Sequence, residues 1–131
     1  MELNTPQGPL FAYTGARDHQ DQQQAVVFIH GTGMDHTVWV LPSRYFARHS
    51  YNVMAIDLPA HGRSKGQPAP TIDTMAESVI EAMAAANVAN AALVGHSMGS
   101  LVALSAAARY PDRARSLALI GSTAPMGVHP D

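Results

Sequence analysis

Gly95-His96-Ser97-Met98-Gly99 has the form G-x-S-x-G, and the interpretation of the whole chain depends on it. The apolar run Ala91-Ala92-Leu93-Val94 precedes it, and Leu101-Val102-Ala103-Leu104 follows. This context predicts a strand, a sharp turn that holds Ser97 at its tip with the hydroxyl exposed, and then a helix. The two glycines allow the backbone to come close where a side chain would clash. The alternative is an ordinary serine in a glycine-bracketed turn.

The segments around this turn alternate between strand-like and helix-like patterns. Continuous apolar runs without polar alternation are typical of strands that are buried on both faces, as in a parallel sheet. Residues 1–24 are expected to form a short hairpin and a loop. Further strands are predicted at 25–30, 52–57, 91–94 and 115–121, and helices at 42–49, 72–86 (with Thr71 as N-cap) and 97–109. The order predicts an α/β fold, a mostly parallel sheet with helices on both faces. Residues 35–51 are expected to hold the first of these helices, and the residues expected to supply its bulk for burial are Trp39, Leu41, Tyr45 and Phe46.

In such sheets, functional groups collect beyond the carboxyl ends of the strands. A nucleophilic serine needs N–H groups that stabilise, by hydrogen bonds, the negative charge that develops on the attacked carbonyl oxygen. The backbone N–H of Met98, at the start of a helix, is one candidate. The second is expected from His30-Gly31-Thr32-Gly33, with the N–H of Thr32 preferred and that of Gly33 as the alternative. A plain glycine turn is the other interpretation of this loop. Candidate residues at the strand ends are His30, Asp57, Ser97 and Ser122.

Composition and charge exclude several classes of protein. The chain has 131 residues, of which 47% are hydrophobic and 14% charged, which is typical of one globular domain. A formal net charge of −2 gives no reason to expect a nucleic acid or an anionic membrane as partner. Without cysteine, neither disulfides nor thiolate metal sites can form. We find no signal peptide and no apolar run of about 18 residues, so a cytoplasmic location is expected.

Four segments together resemble the N-terminal half of the α/β-hydrolase family. The resemblance runs from end to end of the chain in order and in approximate spacing. The Asp57–Ser64 segment departs from the family's D-L-P-G-H-G-x-S loop at Ala60. The four segments are the oxyanion loop His30-Gly31-Thr32-Gly33, the loop Asp57-Leu58-Pro59-Ala60-His61-Gly62-Arg63-Ser64, the nucleophile elbow Gly95-His96-Ser97-Met98-Gly99, and the strand Leu117-Ala118-Leu119-Ile120.

The resemblance implies a strand order of 1-2-4-3-5-6 and a serine nucleophile in an elbow supported by its neighbours. It implies a serine hydrolase that acts on an acyl carbon of a small-molecule ester, lactone, thioester or C–C bond through an acyl-enzyme, with no cofactor and no metal. Residues 1–131 would be the N-terminal part of the domain, an incomplete core with the cap and the C-terminal strands absent. The triad acid and histidine, which follow the serine in the family, have no counterpart. The isolated chain is therefore expected to be inactive.

None of the residues present is expected to replace the missing base. His96 should leave the turn in another direction and act in packing, and His30 should hold the oxyanion loop by hydrogen bonds. Asp57 and His61 are expected to brace their own loop, although D-x-x-x-H could hold a metal. His36 and His129 are expected to be loop residues.

Three alternative functions compete with the hydrolase. A non-catalytic ligand-binding or scaffold protein could use the same fold, and a cofactor-free perhydrolase would share the same triad. A dinucleotide-binding domain fits the element order but not the loops, because His36 stands where a third glycine would be needed. Finally, the 115–121 strand should leave an apolar open edge, which predicts self-association.

Overall fold

A computed structural model describes residues 1–121 of the chain. A single sheet of six strands forms the centre of the described structure. Its strands are β1 (Glu2–Thr5), β2 (Gly8–Tyr13), β3 (Ala25–Ile29), β4 (Asn52–Asp57), β5 (Ala91–His96) and β6 (Ala114–Ile120). Their order across the sheet is β1-β2-β4-β3-β5-β6, which confirms the predicted order and the N-terminal hairpin. The pairs β4–β3, β3–β5 and β5–β6 are parallel. The pair β1–β2, which forms the hairpin, and the pair β2–β4 are antiparallel.

The apolar run 25–30 forms the central strand β3, all five residues of which are buried. Its side chains alternate between two cores. Val27 and Ile29 pack in one cluster, while Val26 and Phe28 pack in another on the opposite face. A strand with apolar contacts on both faces needs no polar alternation, and this is why the run reads as continuously hydrophobic.

Three helices cover the two faces of the sheet. They are α1 (Val40–Arg48), α2 (Ile72–Ala85) and α3 (Met98–Arg109). Buried residues of α2 and α3 belong to the larger core, and Ala47 of α1 belongs to the smaller one. The predicted N-cap of α2 is confirmed, because the Thr71 hydroxyl accepts a hydrogen bond from the N–H of Thr74 at 3.0 Å. None of the helices within residues 1–121 is long and apolar enough to cross a membrane.

The first helical region differs from the prediction. A 3₁₀ turn, His36–Trp39, comes before α1, so helical structure begins before Pro42. The carboxylate of Asp35 starts this turn by accepting the N–H of Thr37 at 2.9 Å.

The expected burial in this region is wrong for two residues: Leu41 is 78% exposed and Tyr45 57% exposed. The inward face of α1 carries the small residues Ser43 and Ala47 instead. The backbone of Gly15 packs so closely against them that an added Cβ would collide with both, and this close approach turns the bulky side chains outward.

The strand β6 lies at the edge of the sheet and, within the described part of the chain, pairs with β5 on one side. Its apolar side chains are accessible: Leu117 is 38% exposed, Leu119 41% and Ile120 45%. A long edge strand with apolar side chains is a template for pairing with another chain. We propose that the 131-residue chain self-associates through this edge.

A charge at the edge should weaken that association. Light scattering should show the mass of the wild-type chain rising with concentration, and Leu119→Lys should return the chain towards the monomer because a buried lysine at a strand–strand contact is costly. Leu104→Lys is the matched control, since Leu104 is 46% exposed on α3, away from the edge. A monomeric wild-type chain with a cooperative thermal transition would refute the proposal.

Candidate active site

Ser97 is the single residue between the end of β5 at His96 and the start of α3 at Met98. Its backbone has φ 56° and ψ −119°, a conformation that is strained for any residue with a side chain and that persists only where the surroundings enforce it. Ser97 itself stays partly exposed. The strand and the helix therefore present this serine at a sharp turn at the carboxyl edge of the sheet.

Two close backbone contacts enforce the turn. A Cβ on Gly95 would collide with the carbonyl group of Gly99, and a Cβ on Gly99 would collide with the carbonyl oxygen of Ile29. The first contact folds α3 back onto the end of β5. The second packs α3 directly against the end of β3. Both positions require glycine because the obstructing atoms belong to the backbone and cannot rotate away.

The parallel pairing of β3 with β5 brings the His30–Gly33 loop to the same place, with Ile29 opposite Gly95. A Cβ on Gly31 would stand 3.3 Å from the Cβ of Ser97. The Thr32 hydroxyl donates a hydrogen bond to Sδ of Met98 at 3.2 Å. Four of the candidate residues, Gly31, Thr32, Ser97 and Met98, therefore converge.

Backbone N–H groups are available on both sides of Ser97. Met98 is the first residue of α3, and the first N–H groups of a helix have no acceptor within it. In the loop, the N–H of Met34 bonds the carbonyl of Gly31 at 3.2 Å, which places Thr32 and Gly33 at the two central positions of a turn. Gly33 has φ +71°, and an added Cβ there would meet nothing within 4 Å.

His30 is fully buried and uses both ring nitrogens. Its Nε2 accepts the N–H of Leu58 at 3.1 Å, and Nδ1 lies 2.8 Å from the carbonyl oxygen of Gly31. Since Nε2 is an acceptor, the ring is neutral with its proton on Nδ1, which donates to Gly31. Burial lowers the pKa of His30 below 6.5, which favours this neutral form. His30 thus ties the loop beside Ser97 to the loop that follows β4.

Asp57 is fully buried at the end of β4 and is surrounded by donors. Its Oδ1 accepts the backbone N–H of His36 at 2.6 Å and faces Nδ1 of the same residue at 3.0 Å, and Oδ2 accepts the N–H of Arg63 at 2.8 Å. Gly62 has φ +51°, and a Cβ there would collide with the Asp57 carboxylate. The His36–Asp57 pair was not predicted from the sequence. Its one signal is a lone acid directly after an apolar strand, because a buried carboxylate requires hydrogen-bond partners.

The remaining candidates lie in other contacts. His61 faces the carbonyl of Pro59 through Nδ1 at 3.0 Å, and its ring packs against that of His30. His96 packs edge-on against Trp39, with ring centroids 6.5 Å apart. Ser122 and His129 lie outside the described residues.

The carboxylates and imidazole that come close enough for a metal are a different set from the D-x-x-x-H pair. Within residues 1–121, Asp35, His36 and Asp57 bring ligand atoms to within 4.8 Å of one another. Asp57 already accepts the N–H groups described above, and Asp35 accepts from Thr37. Each of the three residues already has a hydrogen-bonding role in these loops, so loop bracing accounts for the cluster.

A sequence model of the alpha/beta hydrolase fold family matches residues 24–131. This chain belongs to the α/β-hydrolase fold family. An Acinetobacter baylyi relative, (E)-2-((N-methylformamido)methylene)succinate hydrolase, is 32% identical over 77% of the chain and 38% of its own length. The pimeloyl-[acyl-carrier protein] methyl ester esterase of Klebsiella pneumoniae is 33% identical over 75% of the chain and 36% of its own length. The α/β-hydrolase chain thus spans little more than a third of the length of these relatives.

A solved structure shows the same architecture for this α/β-hydrolase fold. The crystal structure of a predicted CIB-like hydrolase from Thermoplasma acidophilum superposes with a TM-score of 0.81. The match covers 91% of this chain and 60% of that one, at 20% sequence identity, so it establishes the fold. The family predicted from the four sequence segments is confirmed.

The contact between Gly99 and β3 predicts a difference between two glycine substitutions. Gly99→Ala should lower the free energy of unfolding by about 3 kcal/mol or more, because a backbone carbonyl blocks the new Cβ. Gly33→Ala is the control: it meets no atom and should cost about 1 kcal/mol from its positive φ. Urea denaturation of both variants provides the measurement, and equal losses would contradict the packing argument.

His30 predicts a specific loss of stability in acid. Because its pKa in the folded state lies below 6.5, the unfolded chain binds the proton more readily, so stability falls as the pH falls below 6.5. His30→Gln should lower the free energy of unfolding by about 1–3 kcal/mol at pH 7.5, because it disturbs buried hydrogen bonds. The difference in the free energy of unfolding between wild type and this variant should be smaller at pH 5.5. His49→Gln, the same substitution at an exposed site, is the matched control. If the difference in the free energy of unfolding between wild type and His30→Gln stayed constant with pH, this result would argue against a buried neutral His30.

Proposed function

We propose that this chain carries the nucleophile of a serine hydrolase, Ser97, which attacks the acyl carbon of a small-molecule ester, lactone, thioester or C–C bond next to a ketone. The observation that carries the proposal is the strained Ser97 turn with Gly31 and Thr32 packed against it. Strain of this kind is retained where a function requires it. Membership of a family that contains esterases and other hydrolases supports the same chemistry.

In the proposed reaction, Ser97 Oγ forms a bond to the acyl carbon while a general base takes its proton. The carbonyl oxygen becomes negatively charged and is stabilised by the N–H of Met98 and that of Thr32, with Gly33 as the alternative second donor. The leaving group departs to give an acyl-enzyme, which water then hydrolyses. These reaction steps require no metal and no cofactor.

The general base and its acid are proposed to lie outside residues 1–121. His30 uses both ring nitrogens in the loop, and Nδ1 of His36 faces Asp57. His61 and His96 are placed by Pro59 and Trp39. These contacts place the four histidines without a hydrogen bond to Ser97. The 131 residues are therefore proposed to form the N-terminal part of a catalytic domain and to have little activity in isolation.

A non-catalytic ligand-binding or scaffold protein is the second candidate. The observation in its favour is the placement of His30, His36, His61 and His96, which are engaged in packing or loop bracing. The strained turn favours the hydrolase, because a scaffold has no use for an exposed, strained serine.

Imidazole rescue of ester hydrolysis distinguishes the two functions. The chain alone should hydrolyse p-nitrophenyl acetate no faster than Ser97→Ala, because a positioned base normally contributes about 10²–10⁴-fold. Added imidazole supplies that base, so it should accelerate hydrolysis by wild type more than by Ser97→Ala. Ser105→Ala, a serine of α3 that bonds Asp73, is the control and should behave as wild type.

Two outcomes would count against the proposal in different ways. An imidazole effect that is the same in wild type and Ser97→Ala would support the scaffold. Turnover at ordinary esterase rates without imidazole, lost in Ser97→Ala, would show that the chain already contains its base.

A further inference from the structure

Two thioethers flank the contact between the Ser97 turn and the Gly31 loop. Met98 directly follows Ser97, and its Sδ accepts the Thr32 hydroxyl at 3.2 Å. Sδ of Met34 lies 3.5 Å from the point where a Cβ on Gly31 would stand. In the proposed reaction Met98 contributes only its backbone N–H, and neither methionine side chain has a part in it.

The accessibility of the methionines differs sharply. Met34 is 37% exposed, and the hydrogen bond between Thr32 and Met98 lies at the surface. Met54 and Met83, by contrast, have no exposed surface. Met98 is partly buried and also packs against the larger core. Because peroxides oxidise thioethers that they can reach, Met34 and, more slowly, Met98 should react before the fully buried Met54 and Met83.

We propose that Met34 and Met98 form a peroxide-oxidation site, and that oxidation of Met98 displaces the loop that carries Thr32. In this reaction one oxygen of hydrogen peroxide forms a bond to Sδ while the O–O bond breaks. The sulfur loses two electrons and becomes a sulfoxide, and the peroxide is reduced to water. The chemistry depends on accessibility alone, whereas its consequence for catalysis rests on the proposed role of Thr32 and Met98 as oxyanion donors.

The geometry assigns different roles to the two sulfurs. The Thr32–Met98 hydrogen bond joins residues 66 positions apart, so it holds the loop against the start of α3. Oxidation makes the sulfur a poor acceptor and places the new acceptor, the sulfoxide oxygen, one bond length beyond Sδ. The Thr32 hydroxyl must therefore shift to follow that oxygen or lose its hydrogen bond, while the backbone of Gly31 is already packed against Ser97. Met34 lies within the loop and is more exposed, so it reacts first without breaking this link.

Peptide mapping of the 131-residue chain after timed exposure to hydrogen peroxide tests the site. Of the two methionines beside Ser97, Met34 should oxidise first and Met98 second, and Met54 and Met83 should be slower by about tenfold or more. Met1, which is 38% exposed, is the reference for an accessible thioether. Thr32→Val should speed oxidation of Met98 about threefold, because it removes a hydrogen bond from the reacting sulfur. Thr32→Ser keeps the hydroxyl and should oxidise as wild type. Continued protection of Met54 and Met83 verifies that each variant is folded.

Deuterium exchange of a peptide that covers residues 30–35 tests the displacement. Uptake should rise after peroxide treatment in wild type and in Met34→Leu, should stay unchanged in Met98→Leu, and should return to its starting level after a methionine sulfoxide reductase. The proposal would be overturned if Met98 were oxidised at the rate of Met54. It would also be overturned if deuterium uptake by the 30–35 peptide rose equally in Met98→Leu and in wild type. Neither measurement uses hydrolysis, so a failure here is distinct from a failure of the serine hydrolase.

Discussion

The contact of Gly99 with the end of β3 is the constraint on which the site depends. The helix α3 approaches so closely that a single methyl group at Gly99 would meet the carbonyl oxygen of Ile29. This approach leaves one residue to reverse the chain between β5 and α3, and that residue is Ser97 at φ 56°. The strain at Ser97 is thus sustained by packing energy from the helix and the sheet.

The second requirement is the alignment of parallel strands. In the register of β3 and β5, Ile29 lies opposite Gly95, so the residues that follow each strand must meet at the same edge. The loop His30–Gly33 reaches Ser97 for this reason and needs no long-range signal in its own sequence. The same rule places Asp57, at the end of β4, near the start of that loop.

Buried polar groups then hold the loops in one arrangement. His30 connects the loop after β3 to the loop after β4. The Asp57 carboxylate accepts hydrogen bonds from the N–H groups of His36 and Arg63. Each buried polar atom left without its partner would cost about 1–3 kcal/mol, so these hydrogen bonds favour one arrangement of the loops. A rigid surround of this kind suits a site whose donors must stand ready before the reaction begins.

The sequence by itself determined the succession of strands and helices, the strand order through the family resemblance, and the residues of the elbow and loop. These depend on local periodicity, on buried runs such as 25–30, and on glycines where backbone meets backbone. Tertiary structure alone decided that His36 pairs with Asp57, that Thr32 bonds Met98, and that Leu41 faces outward. The two hydrogen bonds join residues 21 and 66 positions apart, and the orientation of α1 follows from a close approach to Gly15. Such contacts arise from the path of loops and the depth of packing, which no periodic pattern in the chain encodes.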